Sequence, residues 1–291
     1  MITLLINPIA GSGFAKKTGE AIDKILTERG IEHETVWSKH PGHATELARD
    51  AAQRGVETVF SVGGDGTALE TARGLIHTAT ALAIVPAGTG DDFIKTLGVP
   101  RKPMQAMEYY LAKAERKPVD TGLINGQAFL NVVGTGFDVS VLDYALKAKK
   151  YVRGLLPYLY GVICTILHFK APVMEIEVDG KPLKEQKLLI CAAGNGRFIG
   201  GGMKVVPKAE ADDGLLDLTL MNMIPNWQMP VYAVRMLMGK ILNFKVTTRL
   251  TCSMLTIRVK NAALRMNVDG EIIPMDEAHI RLEPSSLVML R

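Results

Sequence analysis

Glycine and acidic residues directly follow a predicted strand at Gly63-Gly64-Asp65-Gly66-Thr67, and the helix that this turn opens contains Glu70. Glycines let the main chain approach an anion without a Cβ atom in the way, and N–H groups of such a turn and helix N-terminus carry partial positive charge. The pattern favours phosphate binding. It is neither a Gly-x-Gly-x-x-Gly fingerprint nor a Walker loop, whose lysine is missing. A tight turn capped by Asp65 is the plainer alternative.

Two further glycine-bearing loops follow predicted strands. They are Asn7-Pro8-Ile9-Ala10-Gly11-Ser12-Gly13 and Pro86-Ala87-Gly88-Thr89-Gly90-Asp91-Asp92-Phe93. Each alone is an ordinary Gly/Pro loop. Because the carboxyl ends of parallel strands meet at one edge of a sheet, we expect all three loops to share a crevice.

The first part of the chain alternates apolar runs with amphipathic stretches, which is typical of βαβα units. Such alternation predicts a mostly parallel sheet covered on both faces. The predicted strands are Ile2–Ile6, Glu32–Trp37, Thr58–Val62 and Leu82–Val85, and the predicted helices are Phe14–Arg29, Ala44–Arg54, Ala68–Ile76 and one in the region from Asp91 onward.

After about Val119 the pattern changes to short strands, so we predict two domains, residues 1–118 and 119–291, with a boundary near Lys117-Pro118. The second is predicted to be an antiparallel sandwich or barrel with helices at Leu142–Phe169 and Trp227–Asn243. Asn-Gly and Asp-Gly pairs between apolar runs are strong hairpin signals. They occur at Asn125-Gly126, Asp179-Gly180, Asp213-Gly214 and Asp269-Gly270.

Composition narrows the class of protein. A hydrophobic content of 47% in 291 residues is enough for one large or two medium cores and argues against disorder. The net charge of +4 is spread thinly, which disfavours nucleic acid as a partner. Three widely spaced cysteines in apolar stretches fit a reducing cytoplasm: Cys164, Cys191 and Cys252.

The apolar segments do not predict export or membrane insertion. Met1–Pro8 resembles a first strand and turn more than a signal peptide. Leu155–Phe169 contains Pro157, Gly161 and His168 and is shorter than the ~20 residues of a membrane-crossing helix. We therefore expect no transmembrane segment.

Together these motifs resemble the catalytic domain shared by diacylglycerol kinases, sphingosine kinases and their bacterial lipid-kinase relatives. In the first half the resemblance rests on Asn7-Pro8 with Gly11, Gly63–Thr67 with Glu70, and Gly88-Thr89 followed by Asp92-Phe93. In the second half it rests on Phe129-Leu130-Asn131, Gly136, Asp138, Asn195-Gly196, Gly200-Gly201-Gly202, Pro207 and Asp212–Asp217, which are similar to soluble bacterial diacylglycerol kinases.

The resemblance implies a fold of the α/β plus all-β class. A nucleotide-binding α/β domain like that of NAD kinase would be followed by a β-sandwich lipid-binding domain. The C-terminal tail, about residues 278–291 and including Val288-Met289-Leu290, would return to the first domain.

The resemblance also implies site residues. Asp65 would be the essential acid near the phosphates of ATP, and Glu271 of Asp269-Gly270-Glu271 would be the base that accepts the proton of a lipid hydroxyl. Without the resemblance, that tripeptide is simply a hairpin turn followed by an exposed glutamate. The implied nucleotide contacts are Asn7, Pro8, Ile9, Ala10, Gly11, Ser38, Gly63, Gly64, Asp65, Gly66, Thr67, Glu70 and Thr89.

Two Mg²⁺ ions are implied as well. Glu210, Asp213 and the Leu215 carbonyl would hold a structural Mg²⁺, because closely spaced carboxylates and a carbonyl are its preferred ligands. Glu210 is larger than the small polar residue that the family has at this position. A second, catalytic Mg²⁺ would accompany ATP.

Two features of the first half stand apart from the resemblance. Asp91 occupies a position where the family has Asn, which adds a negative charge beside the nucleotide. His40 and His43 lie in a Pro-Gly loop, and since no other ligand completes a metal spacing, we assign them no role.

The resemblance implies a cytoplasmic kinase, peripherally associated with the inner face of the membrane, that transfers the γ-phosphoryl of ATP to diacylglycerol or a related lipid. The apolar Tyr151–Phe169 stretch suits contact with a bilayer, although a helix packed on the sandwich is the plainer interpretation. Its basic flanks are Lys147, Lys149, Lys150, Arg153 and Lys170.

Two other functions remain open. NAD kinase shares the Gly-Gly-Asp-Gly-Thr turn, but its expected Asn-Glu/Asp motif is absent after Thr89. A catalytically inactive nucleotide-binding regulator would keep the fold without turnover, and Asp91 leaves that alternative open. The sequence is compatible with a homodimer.

Overall fold

The computed structural model describes residues 1–148, 151–152, 156–260 and 263–291, apart from the side chains of Tyr158 and Leu237. The described chain forms two compact units. The first contains Met1–Thr121, Ala211–Gly214 and Glu283–Arg291, and the second contains Gly122–Glu210 and Leu215–Leu282. The domain boundary predicted near residue 118 stays a prediction.

The elements of the first unit alternate along the chain. A short 3-10 helix, Ala10–Gly13, precedes α1. The strands and helices are β1 (Ile2–Ile6), α1 (Phe14–Glu28), β2 (His33–Trp37), α2 (His43–Gln53), β3 (Thr58–Gly63), α3 (Asp65–Leu75), β4 (Ala81–Pro86), α4 (Asp92–Leu97) and α5 (Pro103–Ala112), followed by β5 (Arg116–Ile124), whose last three residues belong to the second unit.

All four strands β1 to β4 are parallel, in the order β4-β3-β1-β2. Ile2 pairs with both His33 and Thr58, and Thr58 pairs with Ala81. Every residue of β3 and β4 is buried, as expected for strands covered on both faces. The α/β prediction is confirmed. The sequence reading did not resolve α5 as a separate helix.

Small side chains let the helices approach this sheet closely. A Cβ atom on Gly19 of α1 would lie 2.3 Å from Ile6 Cδ1, so a larger residue there would have to displace the Ile6 side chain. The rest of that helix face consists of buried Ala15, Ile22 and Leu26. This spacing of three to four residues is what turns one side of α1 toward β1.

The C-terminal strand returns to the first unit, as predicted. In this strand, β18 (Glu277–Leu290), Met289 pairs in parallel with Leu82 of β4. The His77 N–H donates to the Ser286 carbonyl at 2.7 Å, and the backbones of Arg291 and Glu115 exchange two hydrogen bonds. Residues 283–291 thereby complete the first unit.

The second unit is mainly antiparallel. Its elements are β6 (Gln127–Phe129), β7 (Val132–Gly136), α6 (Phe137–Ala148), α7 (Leu156–His168), β8 (Val173–Val178), β9 (Lys181–Pro182), β10 (Gln186–Gly194), β11 (Phe198–Ile199), β12 (Met203–Lys204), β13 (Leu216–Asn222), α8 (Met229–Leu237), β14 (Thr247–Cys252), β15 (Met254–Val259), β16 (Leu264–Val268) and β17 (Glu271–Met275), with 3-10 helices at Asn226–Gln228 and Ile241–Asn243.

Alternate residues of one strand face two different cores. On β10, Cys191 and Ala193 lie in a sandwich core with Ile176 and Leu255. Ile190 and Ala192 lie on the other face, in a cluster that also contains residues of α8. This two-residue period is what a sheet covered on both sides requires. The β-sandwich prediction is confirmed.

Three of the four predicted hairpins are present. The pairs Asn125-Gly126, Asp179-Gly180 and Asp269-Gly270 all have positive φ at both positions, the geometry of a type I′ turn. They join β5 to β6, β8 to β9 and β16 to β17. The fourth prediction is wrong: Asp213-Gly214 lies in a turn before β13 with no strand on its other side.

The two predicted helical regions contain helices with different bounds. The apolar run of Leu142–Phe169 divides into α6, which already begins at Phe137, and α7. Within Trp227–Asn243, only α8 is α-helical. Among the described residues, no helix is both long enough and apolar enough to cross a membrane.

Candidate active site

Three loops of the first unit meet at the carboxyl edge of its parallel sheet. A Cβ atom on Gly11 would lie 2.4 Å from the Ala87 carbonyl oxygen, and one on Gly88 would lie 2.4 Å from Gly64 Cα. Contacts this short exclude any side chain. The loops after β1, β3 and β4 are therefore in backbone contact, as expected for loops that follow parallel strands at one sheet edge.

Asn7 connects the first loop to the second. Its Nδ2 donates to Thr67 Oγ1 at 2.9 Å, and its Oδ1 accepts from the Ile9 N–H at 3.3 Å. Thr67 is buried in the first turn of α3 and lies against Gly63, where a Cβ atom would be 2.4 Å from Thr67 Oγ1. These contacts fix the loop geometry without using a charged group.

Asp65 connects the second loop to the third. It is the first residue of α3, where a carboxylate interacts favourably with the helix dipole. Its Oδ1 accepts from the backbone N–H groups of Asp92 (2.6 Å) and Phe93 (3.2 Å), which begin α4. Asp65 thus caps a second helix from outside. The plainer interpretation expected Asp65 to cap its own turn, whereas the structure shows it accepting from the first N–H groups of α4.

Acidic groups outnumber basic ones around this capped turn. Lys95 Nζ donates to Asp92 Oδ1 at 2.6 Å and to the Gly90 carbonyl at 2.8 Å. The side chains of Lys95 and Asp92 are both buried. Burial, with the charge of Asp92, raises the pKa of Asp65. Burial, with the charge of Asp65, raises the pKa of Asp91 to about 6. The site is short of positive charge, which suits a divalent cation.

Asp91 has a left-handed backbone conformation, with φ of 48° and ψ of 50°. Its Oδ1 accepts from the Gly88 N–H at 3.1 Å, so the side chain closes its own loop. Asn and Asp are the residues that adopt this conformation most readily apart from glycine. The carboxylate is therefore a local turn former as well as an added charge.

The other predicted nucleotide residues lie on the same edge of the sheet. Ser38 follows β2 and is buried, with its N–H bonded to the Ile6 carbonyl at 2.9 Å. Ile9 and Thr89 are exposed at loop tips, and Glu70 is half-buried on α3. The structure brings these positions to one edge, and their contacts with a nucleotide stay a prediction.

The sequence reading missed Lys95. It lies three residues after Asp92, a spacing that places both on one side of a helix turn. The three-residue spacing predicts that the two side chains are neighbours. It does not distinguish a buried ion pair from an exposed one. Burial follows from the close approach of the three loops.

In the second unit, Glu271 is exposed at the first position of β17, opposite Val268. The preceding turn is held firmly. The carboxylate of Asp269 accepts three backbone N–H groups, from Leu130 (2.7 Å), Asn131 (3.0 Å) and Val132 (2.9 Å). The Asp-Gly-Glu turn is therefore more than a simple hairpin, because its aspartate organises a neighbouring loop.

Two polar side chains, those of Asn267 and Asp138, also support this turn. Asn267 Nδ2 donates to Asp138 Oδ2 at 3.1 Å, while Asn267 Oδ1 accepts from the Gly270 N–H at 2.9 Å. Among the described residues, Asp138 Oδ1 has no hydrogen-bond partner, and burial raises the pKa of Asp138 to about 6. The sequence reading noted Asp138 only through the family resemblance and missed Asn267.

The predicted ligands of a structural Mg²⁺ lie in a turn. Asp213 belongs to the first unit, and Glu210 and Leu215 belong to the second; all three are exposed. Within the first unit, the buried Asp120 accepts from the N–H groups of Gly214 (2.8 Å) and Ser285 (2.7 Å). Asp120 was missed by the sequence reading. The metal assignment stays a prediction.

Contrary to the sequence reading, a third potential ligand lies beside the two loop histidines. The ligand atoms of His40, His43 and Glu46 all lie within 4.8 Å of one another. However, His43 Nδ1 accepts the Lys39 N–H at 3.0 Å, so the neutral ring carries its proton on Nε2. That nitrogen has no lone pair for a metal, and we still assign the histidines no role.

Comparison with known proteins agrees with this geometry. The family model of the diacylglycerol kinase catalytic domain matches residues 1–124, and that of the YegS C-terminal NAD kinase beta sandwich-like domain matches residues 131–291. The diacylglycerol kinase of Bacillus subtilis (strain 168) is 27% identical over 271 residues, covering 92% of this chain and 88% of that protein. A Pseudomonas putida protein named "Probable lipid kinase YegS-like" is 33% identical over 245 residues, covering 83% and 79%.

Solved structures show the same architecture. The crystal structure of a diacylglycerol kinase from Bacillus anthracis str. Sterne matches with a TM-score of 0.75 at 25% identity, covering 99% of this chain and 96% of that one. An NAD kinase from Archaeoglobus fulgidus has a TM-score of 0.57 at 13% identity, covering 100% and 94%, which shows the fold alone. This chain belongs to the family of diacylglycerol kinases and YegS-like lipid kinases.

Proposed function

We propose that this protein transfers the γ-phosphoryl group of ATP to the hydroxyl of diacylglycerol or a related lipid at a membrane surface. The observation that carries the proposal is the contact of three glycine-bearing loops around Asp65. Glycine backbone at a sheet edge, beside the first turn of α3, is suited to the phosphates of a nucleotide. Family membership supports ATP as the donor.

Mg²⁺ fits the acidic side of this site. Asp65 uses Oδ1 for the two N–H groups of α4, which leaves Oδ2, beside Gly90, for a cation or its water. Burial and the neighbouring carboxylates raise the pKa values of Asp65 and Asp91, so a cation beside them would stabilise their charged forms. A bound Mg²⁺ would neutralise phosphate charge during transfer. Asp65 and Asp91 are the residues that we propose would face it.

Glu271 is the proposed base. An exposed carboxylate can accept the proton of an alcohol as that alcohol attacks the γ-phosphorus. The Asp269 contacts and the Asn267–Gly270 hydrogen bond fix the backbone from which Glu271 extends. Precise placement of a base on a rigid turn is what proton transfer requires.

The proposal is tested by transfer of labelled phosphate from ATP in mixed micelles. The acceptor panel contains diacylglycerol, monoacylglycerol, a sphingoid base and an isoprenoid alcohol, with NAD as a soluble acceptor. We expect transfer to at least one lipid and none to NAD. Transfer to NAD alone would favour the NAD kinase alternative, and ATP binding without any transfer would favour the inactive regulator.

The role of Glu271 is tested by Glu271→Gln. We expect a loss of roughly 10²-fold or more in kcat, since general base catalysis contributes about that factor. ATP binding, measured by calorimetric titration, should not change. The matched control is Asp276→Asn, an exposed acid just after β17. Normal turnover by Glu271→Gln would show that the assignment is wrong.

A further inference from the structure

Helix α7 of the second unit is packed with its small residues inward. Among the side chains of α7 that the structure describes, Pro157, Gly161 and Thr165 are buried, spaced four residues apart. A Cβ atom on Gly161 would lie 2.4 Å from the Val141 carbonyl of α6, so the two helices are in backbone contact. The glycine therefore fixes which side of α7 faces the protein.

The large apolar residues of α7 consequently point outward. Leu156, Leu159, Ile163 and Leu167 are 59%, 54%, 50% and 66% exposed. Their spacing of three and four residues places them in one stripe. A helix of a water-soluble protein normally shows the reverse arrangement, with its apolar stripe toward the core.

A second outward stripe lies on α8 and the 3-10 turn before it. Trp227, Val231, Val234 and Met238 are 78%, 56%, 58% and 60% exposed, again at intervals of three and four residues. Trp227 belongs to Asn226–Gln228, which contacts α7. We call the eight exposed residues of the two stripes the two-helix face.

Both helices cover the same hydrophobic cluster. Met229 and Met236 of α8 are buried in it together with Phe169, the residue that follows α7. Ile166 of α7 also packs against this cluster, so the two helices that carry the stripes are neighbours. A contiguous exposed apolar surface of this kind marks an interaction site.

The chain segments that carry the two stripes contain basic residues and no acidic ones. Neither residues 144–174, which contain α7, nor residues 218–268, which contain α8, include an Asp or Glu. Lys170, Arg235, Lys240 and Lys245 are exposed there, and Lys204 lies beside Gly239. Three further basic residues of the sequence lie outside the described residues: Lys149, Lys150 and Arg153.

We propose that the two-helix face docks on an anionic lipid bilayer, with the apolar stripes among the acyl chains and the surrounding lysines and arginines at the headgroups. A tryptophan at the edge of an apolar stripe with a basic surround is the composition of an interfacial helix. A second copy of this chain fits less well, because a symmetric pairing would oppose cations to cations. The inference rests on the proposed function, since it places the enzyme where its lipid acceptor lies.

The test is co-sedimentation of the full chain with vesicles of phosphatidylcholine alone or mixed with phosphatidylglycerol. We expect binding mainly to the mixed vesicles, weakened by salt because the attraction is partly electrostatic. In a Trp37→Phe background, Trp227 is the remaining tryptophan, so its fluorescence should shift to shorter wavelength on binding.

Two variants separate the apolar and charged contributions. Trp227→Ser with Val234→Gln should weaken partitioning by about tenfold or more, from the loss of two apolar groups. Lys240→Glu with Lys245→Glu should weaken binding to mixed vesicles and leave the weak binding to phosphatidylcholine unchanged. The control is Met254→Gln, which changes a 57% exposed methionine on β15 and should bind normally.

The outcomes separate this inference from the proposed function. Transfer of phosphate to a dispersed short-chain diacylglycerol should be unchanged in both double variants, because the chemistry does not use the two-helix face. Equal binding of wild type and variants to vesicles would overturn the inference. So would a dimer in ultracentrifugation that the Trp227→Ser, Val234→Gln variant abolishes. Vesicle binding without transfer to any lipid would reject the proposed function and leave the docking surface in place.

Discussion

Asn267 donates a hydrogen bond to the buried carboxylate of Asp138 and, through its own carbonyl oxygen, accepts the backbone N–H of Gly270. One side chain thus joins a buried acid to the residue directly before the proposed base Glu271. Both partners of Asn267 would lose a hydrogen bond if this amide were removed.

Replacement of Asn267 by leucine should therefore lower the free energy of unfolding by roughly 1–3 kcal/mol, because a buried acid loses its donor. It should also lower kcat through the displaced turn. Denaturant titration and the transfer assay measure the two effects. Asn222→Leu changes an exposed asparagine on β13 and serves as the control. If Asn267→Leu keeps full kcat while stability falls, the amide does not position Glu271.

A second prediction concerns Asp91, whose pKa rises in the folded chain from 3.8 to about 6. Between those values the folded state binds the proton more tightly than the unfolded state, so stability falls as pH rises through this window. Asp91→Asn keeps the acceptor for the Gly88 N–H and removes the repulsion from Asp65. It should raise the unfolding free energy by about 1 kcal/mol above pH 7 and by little near pH 4. Thermal unfolding at both pH values measures the difference, and an equal gain at both would contradict the charge explanation.

The two roles of Asp65 can be separated by two substitutions. Asp65→Asn keeps a carbonyl oxygen for the N–H groups of Asp92 and Phe93, so stability should change little. Asp65→Ala removes that cap and should cost about 1–2 kcal/mol. Both should abolish phosphoryl transfer if the carboxylate acts on the nucleotide. Wild-type turnover by Asp65→Asn would show that Asp65 caps α4 and takes no part in phosphoryl transfer.

A pair of glycines tests the contact between the loops. A Cβ atom on Gly88 would lie 2.4 Å from Gly64 Cα, whereas one on Gly66 would meet nothing within 4 Å. Gly88→Ala should therefore lower the unfolding free energy by about 1–3 kcal/mol. Gly66→Ala, inside α3, should raise it by up to about 1 kcal/mol. Denaturant titrations of the two variants provide the comparison, and equal stabilities would show that the loops can separate without cost.

Local signals in the sequence predicted much of this fold. The βα alternation and the Asp-Gly pairs each depend on a few adjacent residues, and both were read correctly except at Asp213-Gly214. There the same dipeptide stands beside Asp120, whose carboxylate binds the Gly214 N–H from a distant part of the chain. Asp120 lies 94 positions from Gly214 in the sequence. A pattern of adjacent residues cannot reveal a hydrogen bond over that separation.

The candidate site was predictable only in part, for the same reason. The three loops could be predicted because each contains glycine and follows a predicted strand. The carboxyl ends of parallel strands lie at one edge of the sheet, so loops that follow them are expected to meet. The burial of Lys95 with Asp92, and the path from Asp138 through Asn267, depend on packing between separate elements. Helix α7 lies within the predicted helical region, but the sequence pattern did not show which of its apolar residues are exposed.

The strand that completes the first unit has a consequence for biosynthesis. Ser285, Ser286, Met289 and Arg291 supply partners to Asp120, His77, Leu82 and Glu115, which are all made much earlier. On the ribosome, the N-terminal half must therefore wait for residues 283–291 to emerge before its last hydrogen bonds form. All residues of the second unit are made before residues 283–291, so the first unit is completed last although its synthesis begins first.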